Sequence, residues 1–332
     1  MAIPVTTVAM VLRYTRQLQS MGAPVGRLLR QARIPADLLN YPAAAVPLEN
    51  AFRFGELACR TQSNEHLGLQ VGLATSLDDL GPYGHLLQKA LTVHDYLRKG
   101  IALYNRLNTG QRLWISEHGE ELRLNIASFG GSELAAYQSH IETLVVTIAK
   151  LREAAGPDWA PREISLAYRT REDLPAIDLF AGSRILRGTG QTYITIPRAM
   201  MGLRFPGDRD IPAGKPESLA GRPLPEDLAG LVQLQIGCLL PDRASKIDFV
   251  AETLAMSVRS LQRGLASQGL TYSQLLAETR MRQATKWLAD ADKPIAEIAF
   301  DLGYTDPSNF TRAFRRHTGV SPQTLRDAAK KT

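Results

Sequence analysis

IAEIAFDLGYTDPSNFTRAFRRHTGVSP, residues 295–322, is the stretch from which the rest of the chain is read. Ile295, Ile298, Ala299 and Leu302 fall on one face of a helix. Gly303 follows as a turn residue, where a positive φ is often needed. Asp306-Pro307 places an N-cap residue before a proline at a first helical position, so a second helix begins there. Phe310 and Phe314, one turn apart, point that helix at a core, and Thr311 and Arg312 lie between them. Gly319 stops it, and Ser321-Pro322 opens another. Two short helices meeting at a small residue around a tight turn form a helix-turn-helix.

The unit occurs twice. Ile247, Val250, Ala251 and Leu254 carry the same face 48 positions earlier, and Ala255 stands where Gly303 does. Leu261-Gln262-Arg263-Gly264-Leu265 matches Phe310-Thr311-Arg312-Ala313-Phe314 at an offset of 49, so one turn is a residue longer. Gly269 and Gly319 are 50 apart. Between the copies, Tyr272 to Leu288 reads as one helix, with Leu275, Leu276, Met281, Ala284 and Leu288 inward and capping-box spacing at Thr271 and Gln274. Such a helix spans roughly 25 Å, enough to hold two recognition helices about one DNA turn apart. Gly264 interrupts the first recognition helix, at a cost of about 1 kcal/mol relative to Ala. It signals either close helix packing or a first unit less ordered off DNA.

Working toward the N-terminus, a helix is expected from Glu226 to Leu240, ended by Pro241. Residues 206–225, rich in Pro and Gly, read as a linker. Residues 1–205 read as α+β with a mostly antiparallel sheet. Helical spacing from Thr6 to Gly72 includes a longer helix over Glu49–Thr61. Gly81-Pro82-Tyr83-Gly84 is expected to break the chain, and one helix to run from His85 to about Asn105. Leu113–Ile115 and Leu122–Ile126 flank His118-Gly119-Glu120 as a hairpin. A helix over Leu134–Ala155 covers the sheet through Ile141, Leu144, Val145 and Ile148, and further strands lie at Ile164–Tyr168 and Tyr193–Ile196. The expected domains are therefore 1–205, a linker at 206–225, and an all-α domain at 226–332 holding two helix-turn-helix units joined by a linker helix.

Composition agrees with a DNA-binding protein. The net charge is +6. From Asp242 onward there are 14 Lys+Arg against 10 Asp+Glu, and before it 25 against 23, so the tail is the more basic part for its length. Cys59 and Cys238 are too few for a disulfide framework or a four-Cys zinc site and read as buried, reduced thiols. No apolar run reaches the length of a membrane span, and a cytoplasmic location is expected. The six histidines are scattered. Structural roles suit them, with His85 the better pocket residue because it follows a turn. No phosphate loop, His-Glu metal pair or serine nucleophile motif is present, so no catalytic residue, cofactor or metal is expected.

The segments 255–263 (AMSVRSLQR) and 295–322 resemble the AraC/XylS family of bacterial transcription regulators. The likeness covers roughly Glu226 to Arg326. The N-terminal part resembles, through residues 81–85 and Tyr193–Pro197, the arabinose-binding-like effector domain of the subset that includes regulators of ornithine use and of virulence. A cupin-like barrel occurs in other members, but the strand count is low for one. The resemblance implies that Arg259, Gln262 and Arg263 in the first unit meet DNA, with Ser308, Asn309 and Arg312 in the second. Thr311 and Arg315 are its candidates for phosphate. These residue types suit the task, since Arg grips guanine while Gln and Asn grip adenine. Arg263 and Arg312 have intramolecular ion pairs as their alternative, and Arg316 reads as a solvated charge. The expected function is a sequence-specific, small-molecule-responsive activator reading two successive major-groove segments. Its expected partners are double-stranded DNA, an unknown small-molecule effector, RNA polymerase and a second copy of the chain, with no membrane. The alternative is a regulator whose N-terminal domain binds a protein. Methyl-transfer DNA repair, an enzymatic reading, would need an activated Cys with zinc-binding cysteines, and Cys59 and Cys238 lack such surroundings.

Overall fold

A computed structural model describes residues 3–80, 82–206, 223–242, 244–289 and 293–329. Most of the expected linker, 206–225, lies outside the described residues. The chain divides into two compact units, Pro4–Leu224 and Pro225–Thr332.

In the first unit, β1 (Val5–Thr7) pairs antiparallel with β2 (Ala45–Pro47), with α1 (Val8–Ser20) and α2 (Val25–Gln31) between them. Then come α3 (Leu48–Gln62), α4 (Leu67–Ala74), α5 (Pro82–Gln88) and α6 (Val93–Leu107). The hairpin β3 (Gln111–His118) and β4 (Glu121–Ser128) precedes α7 (Glu133–Ala155). Strands β5 (Glu163–Leu166), β6 (Arg184–Arg187) and β7 (Thr192–Pro197) complete a sheet of order β3-β4-β7-β5-β6. It is open rather than a barrel, and antiparallel except for the β5–β6 pair.

Register sorts the side chains. Leu113 opposes Ile126, and Leu124 opposes Ile194, so Leu113, Leu122, Leu124, Ile126, Ile194 and Ile196 share the inner face. Ile141, Leu144, Val145 and Ile148 of α7 join that face in one core, as the helical spacing predicts. On α4, a Cβ at Gly68 would fall 2.2 Å from the Gln138 carbonyl oxygen, so glycine is what lets α4 lie against α7. The other sheet face carries the rows Trp114–Asn125–Tyr193 and Ser116–Arg123–Thr195.

Several expectations for this unit are corrected. Residues 85–105 are not one helix: Thr92 caps α6 by accepting the Asp95 N–H at 3.2 Å, and the Val93 N–H donates to Leu203 O. Pro82, Tyr83 and Gly84 do not break the chain but open α5, where Gly84 allows the Leu77 carbonyl to approach. His85 lines neither the cavity at Tyr14 and Gln138 nor the one at Arg123 and His140. Its side chain is 54% exposed and lies 3.9 Å from Asp78. Arg13, a mere interruption in the sequence pattern, is buried with Glu142: its Nε donates to Oε1 at 2.6 Å. Burial nonetheless pushes the Glu142 carboxyl above its ordinary range, against the pull of Arg13. Cys59 is buried but Cys238 is only partly so, and burial pushes both thiols up to about 12.

The second unit is helical throughout its described residues: α8 (Leu228–Leu239), α9 (Ile247–Thr253), α10 (Val258–Ala266), α11 (Tyr272–Leu288), α12 (Ile295–Asp301), α13 (Pro307–Thr318) and α14 (Pro322–Ala329). Leu231, Val232, Ile236 and Leu239 of α8 are buried, as are Leu275, Met281, Ala284 and Leu288 of α11. The capping box at Thr271 and Gln274 is formed. The turn of the first helix-turn-helix passes through Ala255 at φ 55°, that of the second through Gly303 at φ 79°. The second turn, residues 302–306, is one longer than 254–257, which accounts for the change of offset. At Gly264 a Cβ would stand 2.5 Å from Leu228 Cδ2, so close packing of α10 on α8 explains this glycine.

Two stability predictions follow from these contacts. Left-handed φ costs a non-glycine residue about 1–2 kcal/mol. Ala255→Gly is therefore expected to hold or raise the thermal midpoint. Gly303→Ala is expected to lower stability by about 1–2 kcal/mol, because its Cβ would also crowd Arg280 Nη2 at 2.9 Å. Thermal unfolding that ranks the two variants in the opposite order contradicts this account. The second prediction concerns His140, buried between Ser128 Oγ (2.9 Å) and Thr192 Oγ1 (3.3 Å), where desolvation holds its pKa down at about 4. The unfolded chain takes up this proton near the ordinary 6.5. The contribution is thus complete above pH 6.5 and declines as pH falls toward 4, by about 1 kcal/mol at pH 5.5. Equilibrium unfolding at pH 7.5 and 5.5 should show that loss in the natural chain and a flatter response in His140→Gln. Equal slopes would refute it.

Candidate nucleic-acid interface

Each recognition helix is held by residues one turn apart. Leu261 and Leu265 on α10, and Phe310 and Phe314 on α13, are all 0% exposed. Phe310 stacks between Tyr304 and Phe314, with ring centroids 5.6 Å from each. Ala251 and Ala299, buried on α9 and α12, keep the partner helices close. Since one helical face is fixed this way, the residues between the anchors face outward.

The caps set where each helix begins. Ser257 Oγ accepts the Ser260 N–H at 3.1 Å at the start of α10, and Asp306 Oδ1 accepts the Ser308 N–H at 2.8 Å at the start of α13. Pro307 occupies the first turn of α13. The two helices are unequal, nine residues against twelve.

Arg259, Gln262 and Arg263 are exposed along α10, at i, i+3 and i+4. Ser308, Arg312 and Arg315 form an exposed stripe along α13 at i, i+4 and i+7, with Asn309 beside it. Thr311 is half-buried, and its hydroxyl donates to Pro307 O at 3.0 Å. Among the described residues, Arg259, Gln262, Arg263 and Arg315 have no side-chain hydrogen-bond or ion-pair partner, and Arg312 pairs with no carboxylate. Arg312 Nη2 instead donates to Asn309 Oδ1 at 2.6 Å, an exposed contact. Arg315, Arg316 and His317 share the last turn of α13.

One supporting residue escapes a reading of the sequence. Arg280 of α11 lies over the Tyr304 ring, 5.2 Å from its centroid, and against the turn at Gly303. It braces the second turn across a gap in sequence that no motif spacing signals. On α14, Arg326 Nη2 donates to Lys293 O at 2.6 Å and ties that helix to the start of α12.

Comparison with known proteins follows this geometry. Residues 250–328 match a family described as a helix-turn-helix domain, and residues 22–205, over half of the chain, match the arabinose-binding domain of AraC transcription regulator, N-terminal. The ornithine utilization regulator of Pseudomonas aeruginosa is 45% identical over 82 residues, 25% of this chain and 24% of that one. That likeness spans about a quarter of the relative's length. The HTH-type transcriptional regulator VirS of Mycobacterium tuberculosis is 24% identical over 336 aligned positions, 94% of each chain. Among solved structures, transcriptional regulator CdpR from Pseudomonas aeruginosa is 22% identical over 92% of this chain and 96% of that one, with a TM-score of 0.39. With both parts of the chain matched in this order, it belongs to the AraC family of DNA-binding transcription regulators.

Proposed function

We propose that this regulator reads two successive major-groove segments through α10 and α13 and that a small molecule bound by its N-terminal unit controls the reading. The observation that carries the DNA half is the pair of helices anchored at 0% exposure on one side and studded with unpaired Arg and Gln on the other. Arg259, Gln262 and Arg263 then meet bases from α10, and Ser308, Asn309 and Arg312 from α13. Arg315 takes phosphate. Thr311 takes phosphate only by giving up its bond to Pro307 O. Asn309 is engaged through Oδ1, so it orients the Arg312 fork toward guanine and reads adenine only when that bond opens. With α11 about 25 Å long, the two helices suit grooves one turn apart. An effector acts by favouring the DNA-competent state through differential affinity. A homodimer in the cytoplasm, activating transcription through RNA polymerase, completes the reading. No helix among the described residues is long and apolar enough to cross a membrane.

Titration of a mapped genomic site tests the reader. Arg259→Ala and Arg312→Ala should each weaken binding by about 1–3 kcal/mol and relax base preference at one position. Arg315→Ala should weaken all sequences alike and reduce the salt slope by about one. Unchanged affinity and base preference in both Arg259→Ala and Arg312→Ala would remove the assignment.

A further inference from the structure

The sheet of the N-terminal unit has a notch. Strand β4 continues to Ser128, but β7 begins at Thr192, opposite Ile126. Ala167-Tyr168 after β5 and Gly190-Gln191 before β7 wall the space this leaves, and His140 of α7 reaches its floor. The cavity holds about 450 Å³, within the range of pockets for small ligands.

The chemistry of its lining is lopsided. Arg123 contributes a fixed positive charge, and among the described residues no carboxylate lines the space. The Arg123 guanidinium is laid over the Tyr193 ring, 4.2 Å from its centroid. Its Nη2 is 3.7 Å from Glu163 Oε1, beyond hydrogen-bond reach. Glu163 is itself shared, accepting the Tyr193 hydroxyl at 2.7 Å and lying 3.7 Å from Arg184. Two arginines thus share one carboxylate, and Arg123 Nε is buried without a partner. The Arg123 side chain as a whole is 28% exposed, so its guanidinium still presents donors to the notch for an acceptor brought by a ligand. Burial keeps His140 uncharged above about pH 4, so it adds a polar floor. His118 also lines the space, its Nε2 3.2 Å from Ser116 Oγ, but among the described residues Arg123 is the one permanently charged side chain in the lining, which suits a single carboxylate better than a phosphate dianion. Trp114, 38% exposed, and Tyr168, its ring 6.0 Å from that of His140, supply flat aromatic walls.

We infer that this notch is the effector site of the N-terminal unit and that its ligand is a small, flat organic monocarboxylate whose carboxylate is held by Arg123. The inference rests on the small-molecule reading above and narrows it to one place and one chemical class. Bound between Trp114 and Tyr168, such a ligand touches β3, β4, α7 and the loops before β7 and after β5.

The test uses the full chain and ligand-observed NMR with a library of aryl and heteroaryl monocarboxylates. Each acid is paired with its primary amide, and phenyl phosphate is included. Acids should bind and their amides should not. Arg123→Gln should weaken the acids at least tenfold. Asn125→Asp, which keeps Arg123 and sets a carboxylate in the notch, should do the same, and it keeps the test alive if Arg123→Gln does not fold. An unchanged near-UV circular dichroism spectrum and thermal midpoint without ligand are the fold control. Amides binding as well as acids, or phenyl phosphate alone binding, overturns the inference. Acids that bind but ignore both substitutions also overturn it while leaving small-molecule sensing intact, since they then bind elsewhere. Silence from every acid overturns the notch, and silence extending to a general metabolite library overturns sensing as well.

Discussion

Two reversals of the chain through left-handed φ, at Ala255 and Gly303, govern the C-terminal unit. Each sets the angle at which a recognition helix leaves its partner. That angle decides whether Leu261 and Leu265, or Phe310 and Phe314, reach the core. Once residues at i and i+4 are buried, the 3.6-residue period puts Gln262, Arg263 and Arg312 on the solvent side. The second turn meets the constraint with glycine and with Arg280 braced over Tyr304. The first meets it with alanine under strain, and with Gly264 making room for Leu228. The same architecture is therefore built twice with different margins.

The N-terminal unit rests on a different constraint, the pairing register of its sheet. With β4 held in place, a slip of one residue would turn Ile194 and Ile196 of β7 outward and set Tyr193 and Thr195 on the face against α7. The inner face then loses the β7 part of its core, and the outer face loses the Tyr193 ring that lies under Arg123. Core and notch depend on one register. His140 links them, since it stands on the core-covering helix and yet bonds Ser128 and Thr192 at the sheet's broken edge.

Legibility in the sequence followed repetition and periodicity. The offsets of 48, 49 and 50 were enough to locate both turns and both anchor pairs and to show that one turn is a residue longer. The hairpin, the covering helix and the strand at Thr192 follow from alternation or from a long helical face. Strands β1 and β2 are three residues each, too short for any period to register. Strand β6, Arg-Ile-Leu-Arg, is an edge strand whose charged ends hide its alternation. The break before α6 is set by Thr92 reaching Asp95 and by a distant bond to Leu203, and only the first is local. Arg13, Arg123 and Arg280 look alike in sequence, yet one pairs in a core, one lines a cavity and one braces a turn. Their roles are tertiary, and no spacing encodes them. The eight residues proposed to meet DNA were named from family likeness, and seven of them are exposed, with Thr311 half-buried.

Hydroxyl-radical and methylation footprinting of one bound genomic site, read base by base, bears most directly on the paired-reader account. It predicts two clusters of major-groove contacts on one face of the duplex, about one helical turn apart, for each copy of the chain. It further predicts that Arg259→Ala erases only one cluster and Arg312→Ala only the other. A single cluster, or loss of both clusters from either substitution, would contradict it.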